Sequence, residues 1–451
     1  MSALGISGYE LRRMVRDPAL PVLLVLLLVL STVAARNGAD WVEQREAAIA
    51  VIEAEERAAV ALLRPRIDQL PGATPRSQPV LPPGSMAALS IGQADAYPFA
   101  ASVHALADSQ IFSRLSTDIG NPTLRAAGRF DLAFVVVFLL PLVLLAATYD
   151  LWSRERERGI AAMVLSQPVA IGPLIAVKGL SRGLTVLLPA AAIIMAVAAW
   201  AGATSPAGLA ALGLIVLAYG GFWLAAAVMI NLFARRSTEA AIGAGTIWLA
   251  VVVMAPALTL AGLELAAPPP SEMRFATALK TRDAAIRERQ RLHRVAHPTT
   301  DRTPPPRIPD RMRDLYADRV AADGELAPLI DAQQRARDAR RHLLDLARFL
   351  LPSVAVQDAL DRIAGSDADR ALAFQRQALE FQAERRRWTK QRMDLDAPLT
   401  LAELDLLPRF QFRERGSAFQ SSVLADLAAL LVATLLILAA ARALRGRAAT
   451  P

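Results

Sequence analysis

Six long apolar runs alternate with polar stretches along the chain. They cover residues 18–35, 130–148, 184–201, 209–233, 240–263 and 423–444. Each is close to the roughly 20 residues that an α-helix needs to cross the hydrocarbon core of a bilayer. The pattern therefore predicts an all-α polytopic membrane protein with six transmembrane helices.

Basic residues between the apolar runs predict the orientation of these helices. Arg235 and Arg236 follow the fourth run, Arg442, Arg445 and Arg447 close the sixth, and the short turn 202–206 has no basic residue. Short loops rich in Arg and Lys stay in the cytoplasm. We therefore expect both termini to be cytoplasmic and segments 36–129 and 265–422 to be two external insertions.

The N-terminal segment 1–35 is predicted to combine an amphipathic helix with the first span. Residues 2–18 mix apolar and basic positions, which suits a helix lying at the cytoplasmic interface. A cleaved signal peptide is the alternative, with Val33-Ala34-Ala35 as its cleavage site.

Both external insertions are predicted to be mainly helical. In 36–129, helical spacing over 40–64 extends the first span outward as far as Pro65, and the Pro-rich stretch 71–85 follows as a loop or polyproline segment. In 265–422, two long helices at 275–295 and 312–350 flank a Pro-rich tip, and shorter helices follow at 354–363 and 367–394. The sixth span and a basic tail complete the chain over 423–451.

Composition excludes several classes of function. The net charge is +8, yet no aromatic-interleaved basic patch or nucleic-acid motif accompanies it, so we expect no nucleic-acid partner. The absence of cysteine excludes disulfides, thiolate metal sites and a catalytic thiol. No G-x-x-x-x-G-K-[ST] phosphate loop occurs in the sequence. We expect a chain that is not an enzyme and holds no cofactor.

Candidate chemistry within the chain is sparse. His293 and His297 have a spacing that suits a metal, but no Glu lies between them, and a solvated helix end is the favoured interpretation. The ionisable residues of the spans fall at their ends, at Asp131, Asp150, Glu264 and Asp426. Ion-coupled carriers need such groups near the membrane centre. The energy for any transport must therefore come from elsewhere.

The stretch 130–264 contains the second to fifth spans and the loop 150–183, which carries the most distinctive charge pattern. Acids and bases alternate there up to Gly159, an amphipathic piece follows, and Gln167-Pro168 breaks it. The chain restarts at Gly172-Pro173, because Pro is tolerated in the first turn of a helix. The pattern predicts a helix, an elbow and a second helix at the cytoplasmic face. An ordinary positive-inside loop is the simpler alternative.

Several motifs carry a resemblance to a known family. They are FDLAF at 130–134, Leu140-Pro141-Leu142, Tyr149-Asp150, ERERG at 155–159, LSQPV at 165–169 and Lys178-Gly179. Together they resemble the permease subunits of ABC-2 type transporters. The long insertion before the last span has a Leu-Pro-Ser turn, an Ala-Gly-Ser-Asp step and a Pro-x-Phe close. It is similar to a subgroup of these permeases with a domain of unknown function between the fifth and sixth spans.

The resemblance implies a function and a set of partners. It implies an exporter subunit in the bacterial cytoplasmic (inner) membrane, paired with a second permease half, identical or related, and driven by a separate ABC ATPase subunit. Periplasmic proteins are further candidate partners of the insertions. The residues that it assigns to ATPase coupling are Arg154, Glu155, Arg156, Glu157, Arg158, Gly159, Gln167 and Pro168. The alternative is a membrane-anchored scaffold or signalling component that binds envelope partners without transport.

Overall fold

The structure is a computed structural model of the chain, and it describes residues 3–69, 74–104, 129–166, 171–298, 304–404, 406–414 and 417–448. Over these residues the prediction of an all-helical protein is confirmed, because no strand occurs among them. The only strand-like pairings there are two isolated antiparallel bridges, Ser77 with Val103 and Val80 with Ala100.

A long connection separates α2 from α3, and most of the other helices follow one another closely. In chain order they are α1 (Ala3–Arg16), α2 (Ala19–Leu63), α3 (132–148), α4 (Ser153–Glu157), α5 (Ile160–Leu165), α6 (Ile171–Trp200), α7 (Pro206–Phe233), α8 (Ser237–Ala266), α9 (Glu272–Ala296), α10 (Asp310–Arg348), α11 (Pro352–Ala364), α12 (Ala368–Asp394), α13 (Leu401–Leu404) and α14 (Ser417–Ala448). Six of them, α2, α3, α6, α7, α8 and α14, are long and apolar enough to cross a membrane. The prediction of a multi-pass membrane protein is confirmed at that level.

Helix α7 forms the centre of the bundle. It packs against α3, α6, α8, α11 and α14. Tyr219 and Trp223 are fully buried on it, with their rings edge to face at 6.0 Å. A helix that is apolar on all sides suits the interior of a protein or a membrane. The spans α3, α6, α8 and α14 are arranged around α7, and α2 packs on α3 and α6.

Helix α2 continues well beyond the first apolar run, as the spacing over 40–64 predicts. It remains one helix through residues 33–35 and ends at Leu63. A Cβ atom at Gly38 would lie 2.1 Å from the carbonyl oxygen of Ala88. Only glycine allows the 87–89 turn to lie so close to α2, so this contact fixes the start of the first insertion against the first span.

Two spans contain a π-helical turn, and each turn is followed two residues later by a proline. The turns are Val135–Leu139 before Pro141 and Leu249–Met254 before Pro256. Proline has no N–H to donate, so backbone carbonyls in the preceding turn lose a partner. Side chains supply the missing donors. Tyr219 Oη donates to Val137 O at 3.0 Å, and Ser353 Oγ donates to Val251 O at 3.0 Å.

Helix α11 belongs to the span bundle although it lies in the segment between the fifth and sixth spans. Arg340 donates to Ala267 O at the end of α8, whereas Ser353 reaches Val251 near the middle of α8. The last turns of α10 therefore run antiparallel to α8 for roughly 20 Å. The chain reverses at Leu351, and α11 returns between α3, α7, α8 and α14.

The other predicted elements of that segment are present. Helices α9 and α10 form the predicted pair of long helices. Residues 297–298 and 304–309 of the polypeptide between them are described. Leu279 and Ile286 of α9 pack against Ala322 and Leu326 of α10. Residues 408–414 are not helical, and Phe410 packs on Phe374 and Phe381.

Candidate functional site

The part of the predicted loop up to Leu165 forms α4, Gly159 and α5, which we name the elbow; the break predicted at Gln167-Pro168 lies outside the described residues. Gly159 has a φ of 73°, the left-handed conformation that residues with a Cβ atom rarely adopt. An added Cβ atom there would meet nothing within 4 Å, so glycine is required for the backbone conformation and not for space. The charged turn and the amphipathic piece therefore meet at a sharp bend at Gly159.

Asn231 of α7 anchors the start of this elbow. Its side chain is fully buried. Its Oδ1 atom accepts from Trp152 N at 3.1 Å, and its Nδ2 atom donates to Thr148 O at 3.2 Å and Ala227 O at 2.9 Å. The last carbonyls of a helix lack partners within the helix. Asn231 therefore closes the end of α3 and the start of α4 onto α7.

A chain of alternating charges ties the elbow to α1 and α6. The contacts are Glu155 to Lys178 at 2.5 Å, Lys178 to Glu10 at 4.0 Å, Glu10 to Arg182 at 2.7 Å, Arg182 to Asp150 at 3.0 Å and Asp150 to Arg154 at 3.2 Å. The side chains of Glu10 and Arg182 are only 1% and 4% exposed. Charges buried this deeply are tolerated only when they are paired. We name these six residues the ion chain.

Arg156 and Glu157 connect the elbow to the facing ends of α7 and α8. Arg156 donates to Leu232 O at 3.3 Å and Ala234 O at 3.0 Å, where α7 ends. Glu157 accepts from Ser237 Oγ at 2.7 Å, where α8 begins. A cation at a helix C-terminus and an anion at an N-terminus both complement the helix dipole. The two side chains therefore fasten α4 to both helices.

The outer side of the elbow carries the side chains that remain exposed. Arg158 and Gly159 lie on the surface, and Ile160 and Met163 are 43% and 72% exposed. On the opposite side of the same segment, Ala161 and Val164 pack with Trp152 and Leu174. We name Arg158, Gly159, Ile160 and Met163 the elbow surface. It combines a cation with apolar side chains at one end of the span bundle.

The structure therefore separates the eight predicted coupling residues into groups. Arg154 and Glu155 belong to the ion chain, Arg156 and Glu157 bind α7 and α8, and Arg158 and Gly159 form part of the elbow surface. Gln167 and Pro168 lie outside the described residues.

Two residues at this end have roles that the sequence did not reveal. In the sequence, Glu10 is an acid within a basic amphipathic segment, and Asn231 is a polar residue near the end of the fourth apolar run. The one available signal for Asn231 was an amide near the end of an otherwise apolar run, since such a group needs internal partners.

The remaining candidates for chemistry form no site in the described structure. The rings of His293 and His297 stack at 4.7 Å near the end of α9. Across the described ranges, no group of three or more His, Cys, Asp or Glu side chains is placed to hold a metal ion.

A protein family matches part of the chain between the fifth and sixth spans. Residues 309–413 match the family described as Domain of unknown function (DUF3526). The matched part runs from the start of α10 to beyond α13, between the fifth and sixth spans. No curated protein matches the chain.

Proposed function

We propose that this chain is the membrane-spanning permease subunit of an ATP-driven ABC-2 type transporter, an exporter whose ATP is hydrolysed by a separate subunit that docks at the elbow. The observation that carries the proposal is the construction of the elbow. Its inner side is bonded to four helices of the bundle, and its outer side presents exposed apolar and basic side chains.

The bonds of the elbow suit the transmission of force. The ion chain reaches α1 and α6, Arg156 reaches the end of α7, and Glu157 reaches the start of α8. A push on the elbow surface would displace these helices together, because each contact is a charge-assisted bond rather than loose packing. The ATPase would thereby shift several spans in one movement.

The docking contact is assigned to the elbow surface rather than to the acids of α4. Glu155 is 15% exposed and its carboxylate is bonded to Lys178, so it offers little to a partner. Met163 and Ile160 have no such engagement and expose apolar area beside a cation. Apolar anchors flanked by polar groups are the usual energetic centre of a protein interface.

A second permease half, identical or related, is part of the proposal, and α8 is the helix that offers it a surface. Only 6% of the residues in the most apolar window of α8 are buried within the chain, against 67% for α7. Helix α8 is therefore free to face lipid or a second permease half.

We place the chain in the bacterial inner membrane with both termini in the cytoplasm. This topology puts segments 36–129 and most of 265–422 outside, where periplasmic partners can reach them.

Co-purification from mild detergent tests the docking role. We expect a subunit with a nucleotide-binding motif, identified by mass spectrometry, to accompany the tagged native chain. We expect its recovery to fall about tenfold with Met163→Asp, since burying a charge at an interface centre costs more than 1 kcal/mol. The matched control is Met273→Asp, because Met273 is 81% exposed on α9, away from the elbow. Its recovery should equal that of the native chain.

Two outcomes would contradict the proposal. Equal recovery with Met163→Asp and Met273→Asp would remove the ATPase from the elbow surface. Recovery of envelope proteins alone, with no ATP hydrolysis in the purified material, would favour the scaffold function instead.

A further inference from the structure

The end of the bundle opposite to the elbow is held together by residues 84–95, which we name the bracket. It lies where α3 begins, whereas the elbow lies where α3 ends. Its backbone contacts reach four parts of the fold. Ser85 O accepts from Thr204 N at 3.4 Å, and Ile91 N donates to Asp131 Oδ2 at 2.9 Å. Gln93 N donates to Ser366 O at 3.2 Å, and Ala88 O lies against Gly38. The bracket therefore joins α2, α3, the α6–α7 turn and the end of α11.

The contact between the bracket and α11 leaves no room for additional atoms. A Cβ atom at Gly84 would lie 2.4 Å from Ala364 O, and one at Gly92 would lie 2.7 Å from Asp361 Cγ. Gly92 also has a positive φ of 46°. The fit is therefore close at two separate points on α11, and a small change in α11 is transmitted directly to the bracket.

Asp361 lies at the centre of this contact. It is 4% exposed, and its Oδ1 atom accepts from Ser90 Oγ at 2.7 Å and from Gln357 Nε2 at 2.8 Å. Ser90 belongs to the bracket and Gln357 to α11, so this one carboxyl oxygen bridges the two elements. The carboxyl group of Asp131, which is 5% exposed and directly precedes α3, also acts on Asp361 through its negative charge.

No cation compensates Asp361 within the described residues. Arg362 is directed to Asp358 at 3.0 Å and Asp369 at 3.7 Å. Helix α7 has no charged side chain, and the charged group of α14 near its start is the acid Asp426. Burial, together with the negative charges of Asp131 and Asp358, outweighs the hydrogen bonds and raises the pKa of Asp361 to about 7; burial likewise raises the pKa of Asp131.

We propose that Asp361 is a proton-operated latch, which holds α11 against the bracket when it is neutral and loosens that contact when it is ionised. The folded form keeps the proton at a pH where the unfolded carboxyl has lost it. The stabilising contribution is therefore complete below about pH 4 and is lost as the pH rises through about 7. Helix α11 also contacts the π-helical turns of α3 and α8, so the latch places the spans under the control of local pH.

The latch goes beyond the proposed transport function and does not depend on it. An ATPase acts at the elbow, and a proton acts at the bracket, at opposite ends of α3. Loss of ATPase binding in the elbow variants would leave the latch untouched, and failure of the latch would leave ATPase docking untouched.

The absence of native cysteine makes the latch directly measurable. Ser366→Cys places one thiol at a 4% exposed position beside the latch in the full-length protein. We compare the rate at which a maleimide reacts with Ser366→Cys to its rate with the double variant Ser366→Cys/Asp361→Asn. We expect the ratio of the first rate to the second to be about one at pH 5.5. The ratio should rise several-fold by pH 8, with its midpoint near pH 7. The ratio cancels the pH dependence of the thiol itself, and one proton changes an equilibrium by at most about tenfold per pH unit.

Two further variants keep the test decisive. Asp331→Asn removes an exposed carboxylate of α10 and should leave the profile of Ser366→Cys unchanged. Ser90→Ala keeps Asp361 but removes a hydrogen bond that favours its ionised form, so the midpoint should move to higher pH. A flat ratio across the pH range, or an unmoved midpoint in Ser90→Ala, would overturn the latch.

Discussion

Glu155→Arg is expected to destabilise the elbow end of the protein by about 3–5 kcal/mol, the usual consequence of removing one partner from a buried ion pair. Lys178 is 10% exposed and bonds Glu155 at 2.5 Å, while its next acid, Glu10, lies 4.0 Å away and is already bonded to Arg182. The substitution leaves Lys178 beside an additional cation with little water to screen it. Thermal unfolding of the purified protein in detergent measures the loss.

The exchange variant Glu155→Lys/Lys178→Glu is the control for this prediction. It keeps one acid and one base in contact, so we expect it to regain part of the lost stability. Full regain is not expected, because an acid at position 178 would face Glu10 and a base at 155 would lie near Arg154. A midpoint for Glu155→Arg within the error of the native protein would show that the ion chain contributes no net stability.

Asn231→Ala should lower stability by about 3 kcal/mol, because it leaves a buried amide N–H and buried carbonyls without partners at roughly 1–3 kcal/mol each. The affected groups are Trp152 N and Thr148 O, at the junction of α3 and α4. Loosening of this junction exposes the arginines of α4. We therefore expect limited trypsin digestion to cut within 154–158 much faster than in the native protein.

Asn37→Ala is the matched control, since the same side chain there makes one hydrogen bond, to Phe130 O at 3.0 Å, from an exposed position. It should cost no more than about 1 kcal/mol and leave the trypsin pattern unchanged. Equal effects of the two alanine substitutions would show that Asn231 does not anchor the elbow.

The spans illustrate how far sequence patterns reach. The predicted runs 130–148 and 209–233 agree with α3 and α7 within three residues at each end. The third run was predicted to begin at 184, but α6 begins at Ile171 and its candidate membrane span at Leu174. Lys178 and Arg182 interrupt the apolar pattern over its first turns. Charged residues fit a buried helix only if acids pair with them, and the acids that do so come from α1 and α4, outside this helix.

In the elbow as well, the local sequence predicted the helical segments, whereas the packed helices decided which side chains are buried. The alternation of acids and bases up to Gly159 and the amphipathic piece after it predicted helical segments, which are found as α4 and α5, and these are local properties of the chain. Which charges face inward depends on α1, α6, α7 and α8, and no spacing within 150–183 contains that information. Glu155 is therefore placed inside and Met163 outside only by the packed helices.

The sequence alone determined the number of apolar helices, the approximate position of each and the location of a charged loop between the second and third. An apolar run of about 20 residues has few alternatives to a helix in a bilayer, since every backbone group must be bonded within the segment. The tertiary structure alone decided the ion chain, the anchoring by Asn231, the return of α11 among the spans and the contact of Asp361 with Ser90. These depend on residues up to 271 positions apart. Pairings at that range are fixed by close packing and by the need to satisfy buried polar groups. Neither effect produces a periodic pattern of residues that could be recognised in the sequence.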